Sequence, residues 1–286
     1  MHLAAHTWMR NEPLETSLAR LQKLGYQGVE LPGEPEQYPI QETRRLLEQY
    51  GIKCWGTVTM QRGRRNLIAA DSQQRLETIE YMKAVVELSA GLGGQIVTVV
   101  PGHCETTSSQ SKPEDEWKWA VEGLREVASF AKARGVRVGL EALNRFETFF
   151  LNRVEQSLAL ADEVGYDVGI IFDSFHMAIE EPDLLTAIRA CHSRIVDFHV
   201  ADNNRLAAGD GSFHWKSIMQ ALVEAGYDGG LTVECFPPVD RTPVGDFGSR
   251  QLGNEDDPNS GLLSDSYYTE LLRRSAKALA PYVRTN

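Results

Sequence analysis

One local pattern occurs three times in this chain: a glycine that stops a helix, a tyrosine, a short polar link, an apolar strand and a terminal acid. The copies are Leu24-Gly25-Tyr26-Gln27-Gly28-Val29-Glu30, Val164-Gly165-Tyr166-Asp167-Val168 running on to Asp173, and Ala225-Gly226-Tyr227-Asp228-Gly229 running on to Glu234. Glycine suits the left-handed residue that ends a helix. A repeated helix-stop-strand unit means that similar units are stacked around one core.

The same alternation fills the rest of the chain. Apolar, β-branched runs at 3–8, 28–30, 52–59, 95–100, 136–141, 168–173, 194–199 and 231–234 predict strands. Helical periodicity at 13–25, 41–50, 117–133, 154–164, 184–191, 215–225 and 262–282 separates or follows them. A further helix opens at Asp71, which with Gln74 forms a capping-box pattern, and turns Leu76, Ile79, Met82 and Val86 inward. Eight strands alternating with helices predict one α/β domain over residues 1–286, a single (β/α)8 TIM barrel. A doubly wound sheet is the alternative, but no strand-turn-helix carries a GxGxxG or P-loop signature.

Composition narrows the class. With 29 basic and 40 acidic residues the formal charge is -11, which argues against nucleic acid as a partner. Cys54, Cys104, Cys191 and Cys235 show no CxxC pairing and read as reduced thiols of a cytoplasmic protein. The amino terminus lacks a signal-peptide pattern, and no apolar run reaches the ~18 residues of a membrane helix, so no membrane partner is expected. Two segments exceed a plain barrel. The basic cluster at 61–65 reads as a solvated loop, with an anionic substrate as the other option. The long stretch at 237–260 after strand eight reads as a lid, an oligomer contact or a disordered excursion.

The strand ends carry the chemistry. Glu30, Glu141, Asp173, His199 and Glu234 stand there, with His6 and His103 at the first and fourth strands. All carboxyl ends of a barrel open on one face, where active sites lie. Glu141, Asp173, His199 and Glu234 come from neighbouring strands ~4.8 Å apart and can converge on one ion. Three carboxylates and one imidazole suit Mn²⁺, Co²⁺ or Mg²⁺ better than a structural zinc. Separate salt bridges remain the alternative for each acid taken singly.

The stretches Glu141-Ala142-Leu143-Asn144-Arg145-Phe146-Glu147, Asp173-Ser174-Phe175-His176-Met177-Ala178-Ile179-Glu180-Glu181, Phe198-His199 with Asn204-Arg205 and Gly209-Asp210-Gly211, and Val233-Glu234 resemble the xylose isomerase-like barrel superfamily. Within it they look most like the D-tagatose and D-allulose ketose 3-epimerases and the related 3-keto-sugar epimerases. The resemblance is strong over 136–236 and only architectural upstream.

It implies a divalent-metal-dependent sugar epimerase or isomerase, most often with Mn²⁺, held by Glu141, Asp173, His199 and Glu234. It also implies that Glu141 and Glu234 act as the acid/base pair, through a metal-stabilised enediolate. Glu147 matches a position that hydrogen-bonds the sugar or orients Glu141, and His176 and Arg205 match substrate-holding positions; His6 and His103, from their strand ends alone, read as substrate contacts or as satisfied rim histidines. The family often forms homo-oligomers, to which the last helix with Tyr267 and Tyr268 could contribute. The alternative on this scaffold is a lyase that cleaves C-glycosides of 3-keto sugars and works with a small partner subunit. A non-catalytic sugar-binding role and a three-zinc DNA-repair endonuclease fit less well: the ligand positions are filled, and strand three ends in Gly56-Thr57-Val58-Thr59 without a histidine.

Overall fold

In the computed structural model, which describes residues 1–236 and 264–284, parallel strands pair in chain order and close on themselves. They are β1 (His2–His6), β2 (Gly28–Pro32), β3 (Lys53–Val58), β4 (Ile96–Val99), β5 (Arg137–Glu141), β6 (Gly169–Asp173), β7 (Ile195–Val200) and β8 (Gly230–Val233), with β8 sealing against β1. The helices are α1 (Leu14–Lys23), α2 (Ile40–Tyr50), α3 (Ser72–Gly91), α4 (Pro113–Lys132), α5 (Val154–Val164), α6 (Ser174–Glu180), α7 (Leu184–Cys191), α8 (Trp215–Glu224) and α9 (Asp265–Leu279). This is the (β/α)8 barrel that the periodicity predicts. The 237–260 segment lies outside the described residues, so neither its role nor its place in the domain follows from the structure.

Several details differ from the sequence reading. Strand β2 runs on to Pro32, which leaves Glu30 in its middle with a fully buried side chain. Helix α6 was not expected. Asp71 caps α3 by accepting from the Gln73 amide, but Gln74 donates to the Arg64 carbonyl instead of completing a capping box. Leu76 is 55% exposed, whereas Ile79, Met82 and Val86 are buried. The basic cluster is only partly solvated: Gln61 is buried, and Arg65 forms a forked ion pair with Glu34 above the Tyr81 ring. Tyr268 is buried under Arg20 and aims its hydroxyl at the His6 carbonyl, so it is packed inside the chain and unavailable as an oligomer contact.

The three-fold pattern is one of turns more than of packing. Gly25, Gly165 and Gly226 are all left-handed, at φ +80°, +79° and +76°. Tyr26 and Tyr227 then turn inward, Tyr26 donating to the Leu272 carbonyl at 2.9 Å. Tyr166 is itself left-handed and exposed.

Two cores result. Outward-facing residues such as Leu31, Leu140, Phe172 and Phe198 pack against the helices, and the last two stack 5.6 Å apart. Inside the barrel Ile96, Ile171 and Val196, with Trp55 against them, fill the interior. A Cβ on Gly139 would lie 2.4 Å from Ile171, and one on Gly169 2.3 Å from Val196, so those strands need glycine there. Strand side chains alternate, and two residues beyond Ile96 and Ile171 come Thr98 and Asp173. The interior therefore turns polar toward the carboxyl ends. No helix among the described residues is long and apolar enough to cross a membrane, and all four cysteines are free.

Candidate metal and active site

Glu141 and Asp173 are the last residues of β5 and β6, His199 is one residue from the end of β7, and Glu234 directly follows β8. One ligand atom from each lies within 4.8 Å of the others, and all four residues are buried. His199 Nδ1 is 3.0 Å from Glu141 Oε1 and 3.3 Å from Glu234 Oε2. Burial pushes the Glu141 and Glu234 carboxyls up, against the lowering pull of His199 and Arg205. Although burial opposes a charged ring, Glu141 and the neighbouring carboxylates hold His199 protonated well above its usual range. Burying like charges together is costly unless a cation joins them. Glu234 Oε2 is buried with no hydrogen bond of its own, a donor atom open to a further ligand. The donor set fits a divalent cation with mixed oxygen and nitrogen preference.

Arg205 supplies fixed positive charge beside them. Its Nη1 reaches Asp173 Oδ2 at 2.7 Å, its Nη2 reaches Glu234 Oε1 at 3.1 Å, and its guanidinium lies over the Phe175 ring. The backbone there is left-handed at φ +63°, a strained choice for a long side chain that often accompanies function. Its amide donates to the Asp202 carbonyl and its carbonyl accepts from the Phe236 amide, which fixes that conformation.

Asp173 does two things at once. Its Oδ1 caps α6 by accepting from the amides of Phe175 and His176, leaving Oδ2 for Arg205. The cap also swings His176 into the site. His176 Nδ1 accepts from the Asn144 amide at 3.2 Å, and its Nε2 faces Arg205 Nη2 at 3.4 Å and Asp173 Oδ2 at 3.9 Å. Burial holds this imidazole neutral, at about 3. The Asn144 side-chain amide touches His176 Nδ1 at 2.8 Å and donates to Glu147 Oε1 at 2.9 Å. Asn144 thus orients both residues. Sequence reasoning left it unassigned, although a polar residue between two site acids was a usable signal. Arg145 is structural: its backbone and side chain grip Glu180 on α6.

His6 approaches from β1, with Nε2 3.9 Å from Glu234 Oε2 and its ring edge-on to His199 at 4.6 Å. Both its nitrogens are buried without a hydrogen bond, and burial lowers its pKa to about 4. His103 is less engaged: it sits on the loop after β4 with Nδ1 3.2 Å from the Thr106 hydroxyl, and it stands outside the cluster of Glu141, Asp173, His199 and Glu234. Trp8 pairs with Phe236 across the β1–β8 seam, rings 6.4 Å apart, and its indole N–H is buried and unpaired. The Gln61 side-chain amide, after β3, is likewise buried with neither end bonded. Its burial is the residue property that the run of arginines around it concealed.

A parallel barrel with a buried carboxylate–imidazole cluster on its carboxyl face is the build of a metal-dependent sugar-isomerase type enzyme. Residues 18–246 match the family model described as "Xylose isomerase-like TIM barrel", and the chain belongs to that family. Among its relatives, an L-ribulose 3-epimerase of Mesorhizobium japonicum is 29% identical over 225 residues, 78% of this chain and 75% of that protein. A D-psicose 3-epimerase of Ruminiclostridium cellulolyticum is 31% identical over 232 residues, 77% of each chain. A solved L-ribulose 3-epimerase structure superposes with a TM-score of 0.82 at 24% identity, covering 98% of this chain and 93% of that one, a likeness of fold.

Proposed function

We propose that this protein is a divalent-metal-dependent sugar epimerase of the ketose 3-epimerase type. The observation that carries the reading is the pair Glu141 and Glu234, two buried carboxylates on β5 and β8 that both approach Nδ1 of His199 within one group of four candidate ligands. Two carboxylates on different strands can take a proton from one face of a carbon and return one to the other. Glu234 as carboxylate takes the proton from the carbon α to the substrate carbonyl, and the electron pair moves to the carbonyl oxygen. Protonated Glu141 returns a proton to the opposite face of that carbon, which inverts it. Arg205 keeps its charge throughout and faces the developing oxyanion. His176, neutral and beside Arg205 and Asp173, is a contact for a substrate oxygen.

A divalent cation held by Glu141, Asp173, His199 and Glu234 would supply fixed positive charge beside the oxygen that becomes negative. Mn²⁺ is the proposed ion, on the resemblance and the donor set. Glu147, His6 and His103 are proposed as contacts for more distant hydroxyls. A cytoplasmic homo-oligomer completes the reading, supported by the free cysteines and by family resemblance respectively. The epimerase names of the relatives favour this reaction over release of an aglycone.

The test is incubation with free ketoses and 3-keto-glycosides in D₂O. Deuterium at C3 of a ketose together with its epimer is the expected result. Absence of exchange in both substrate classes overturns the reading, and release of an aglycone redirects it to the lyase reaction.

A further inference from the structure

Beneath the four ligands lies a buried acid that this reaction does not use. Glu30 sits in the middle of β2, in register with His6 on β1, and its side chain is inaccessible to solvent. Its Oε1 accepts from the Thr98 hydroxyl on β4. Its Oε2 is 3.2 Å from His199 Nε2 and 3.5 Å from His6 Nε2. The two nitrogens of the His199 ring therefore face different partners. Nδ1 looks at Glu141 and Glu234, and Nε2 looks at Glu30.

Asp197 also approaches Nε2, with an oxygen that accepts from the Thr232 hydroxyl at 2.7 Å, but at 3.5 Å it stands farther off than Glu30 at 3.2 Å. Glu30 Oε2 has His199 as its one hydrogen-bonding neighbour among the described residues. We propose that Glu30 is a positioning residue for the metal centre. It accepts the Nε2–H of His199, so that a cation arriving among the three carboxylates displaces the proton on Nδ1 and takes that nitrogen's lone pair. The inference rests on the reading of those four residues as a metal site and assigns the residue that prepares one of them.

The chemistry explains why an acid stands there. A neutral imidazole carries one proton, and the group bonded to one nitrogen decides which nitrogen is left to bind a metal. Burial works against a charge on Glu30, while the His199 ring and the Thr98 hydroxyl favour it; as a carboxylate it can only accept, which stabilises the Nε2–H tautomer. A carboxamide in its place could donate to Nε2 and hold the ring with Nδ1–H facing the ion. Glu30→Gln, nearly isosteric, therefore separates the hydrogen-bond role from the packing role.

The experiment titrates Mn²⁺ calorimetrically into metal-stripped wild-type, Glu30→Gln and Thr98→Val proteins, each checked for folding by thermal melt. Outer partners of metal-bound histidines typically contribute about 10- to 100-fold in affinity, and a loss of that size is expected for Glu30→Gln. Thr98→Val, which only loosens the carboxylate, is expected to lose about three-fold, in the range of one neutral hydrogen bond. Long-range ¹H–¹⁵N spectra of the wild-type protein loaded with diamagnetic Zn²⁺ should place the His199 proton on Nε2. This arm decides the matter even if Glu30→Gln does not fold. Mn²⁺ affinity of Glu30→Gln equal to wild type, or a proton on Nδ1, overturns the positioning role alone. Wild-type protein that takes up no divalent ion overturns the metal centre and the positioning role with it.

Discussion

On the β5–β8 side of the barrel mouth the buried polar atoms are bonded to one another, whereas on the β1–β4 side many are buried and unbonded. Asp173, His176, Asn144 and Arg205 form one connected network. Glu234 Oε2, Thr148 Oγ1, Arg153 Nε and Ser157 Oγ are the exceptions in this half among the described residues. Across the mouth, His6, Trp8 and Gln61 each hold buried nitrogen or oxygen atoms with no partner. An unpaired buried polar group costs roughly 1–3 kcal/mol, so such a set persists where something else pays for it. On the proposed function, the first side manages charge and the second receives the sugar's hydroxyl groups. Changes on the first should alter turnover, and changes on the second should alter which sugar binds.

The harshest way to break this contrast is to remove the metal. Chelation should abolish turnover, and Mn²⁺ or Co²⁺ should restore it; full activity in metal-stripped protein ends the mechanism. Next in size is Glu234→Gln, which keeps shape and removes the base. Solvent-deuterium exchange at the substrate carbon should fall by about 10²–10⁴-fold, with unchanged circular dichroism. Exchange at the wild-type rate would exclude Glu234 as a base. The positioning role of Glu30 falls between these and the network residues, and is read through metal affinity.

Asn144→Ala tests whether the connected side works as a unit. Loss of the two side-chain contacts to His176 and Glu147 should lower kcat about ten-fold, consistent with one to two hydrogen bonds. An effect confined to KM would move Asn144 to the receiving side. The gentlest probe is Gln61→Leu. An apolar replacement of an unbonded buried amide should leave the melting temperature level or raised. KM for the preferred ketose should rise about five-fold while kcat holds, since a site built to hydrogen-bond a substrate loses affinity with that bond. A lower melting temperature with unchanged KM would show that the amide serves the fold.

Much of the connected side was legible because its residues end strands. Glu141, Asp173 and His199 follow apolar runs, and strand alternation plus barrel closure leaves such ends one place to go. Helix α6 was missed for a related reason. A strand-end acid reads as a ligand, which hides the second part of Asp173 as the cap of the seven residues that follow. The basic run after β3 misled in the other direction, since three arginines look solvated whatever the glutamine beside them does.

The sequence by itself determined the barrel, the face that carries chemistry and the four residues that converge there, because side-chain period and strand-terminal acids are local properties. Tertiary structure decided what those residues lean on. Glu30 reads as one more strand-end acid until closure of the barrel puts it beneath His199, 169 positions away in the chain. Asn144 becomes an orienting group only when α6 brings His176 back against it. Gln61 becomes a candidate contact only when the loops around it exclude water. Each of these depends on a distance between remote residues, which no local pattern encodes.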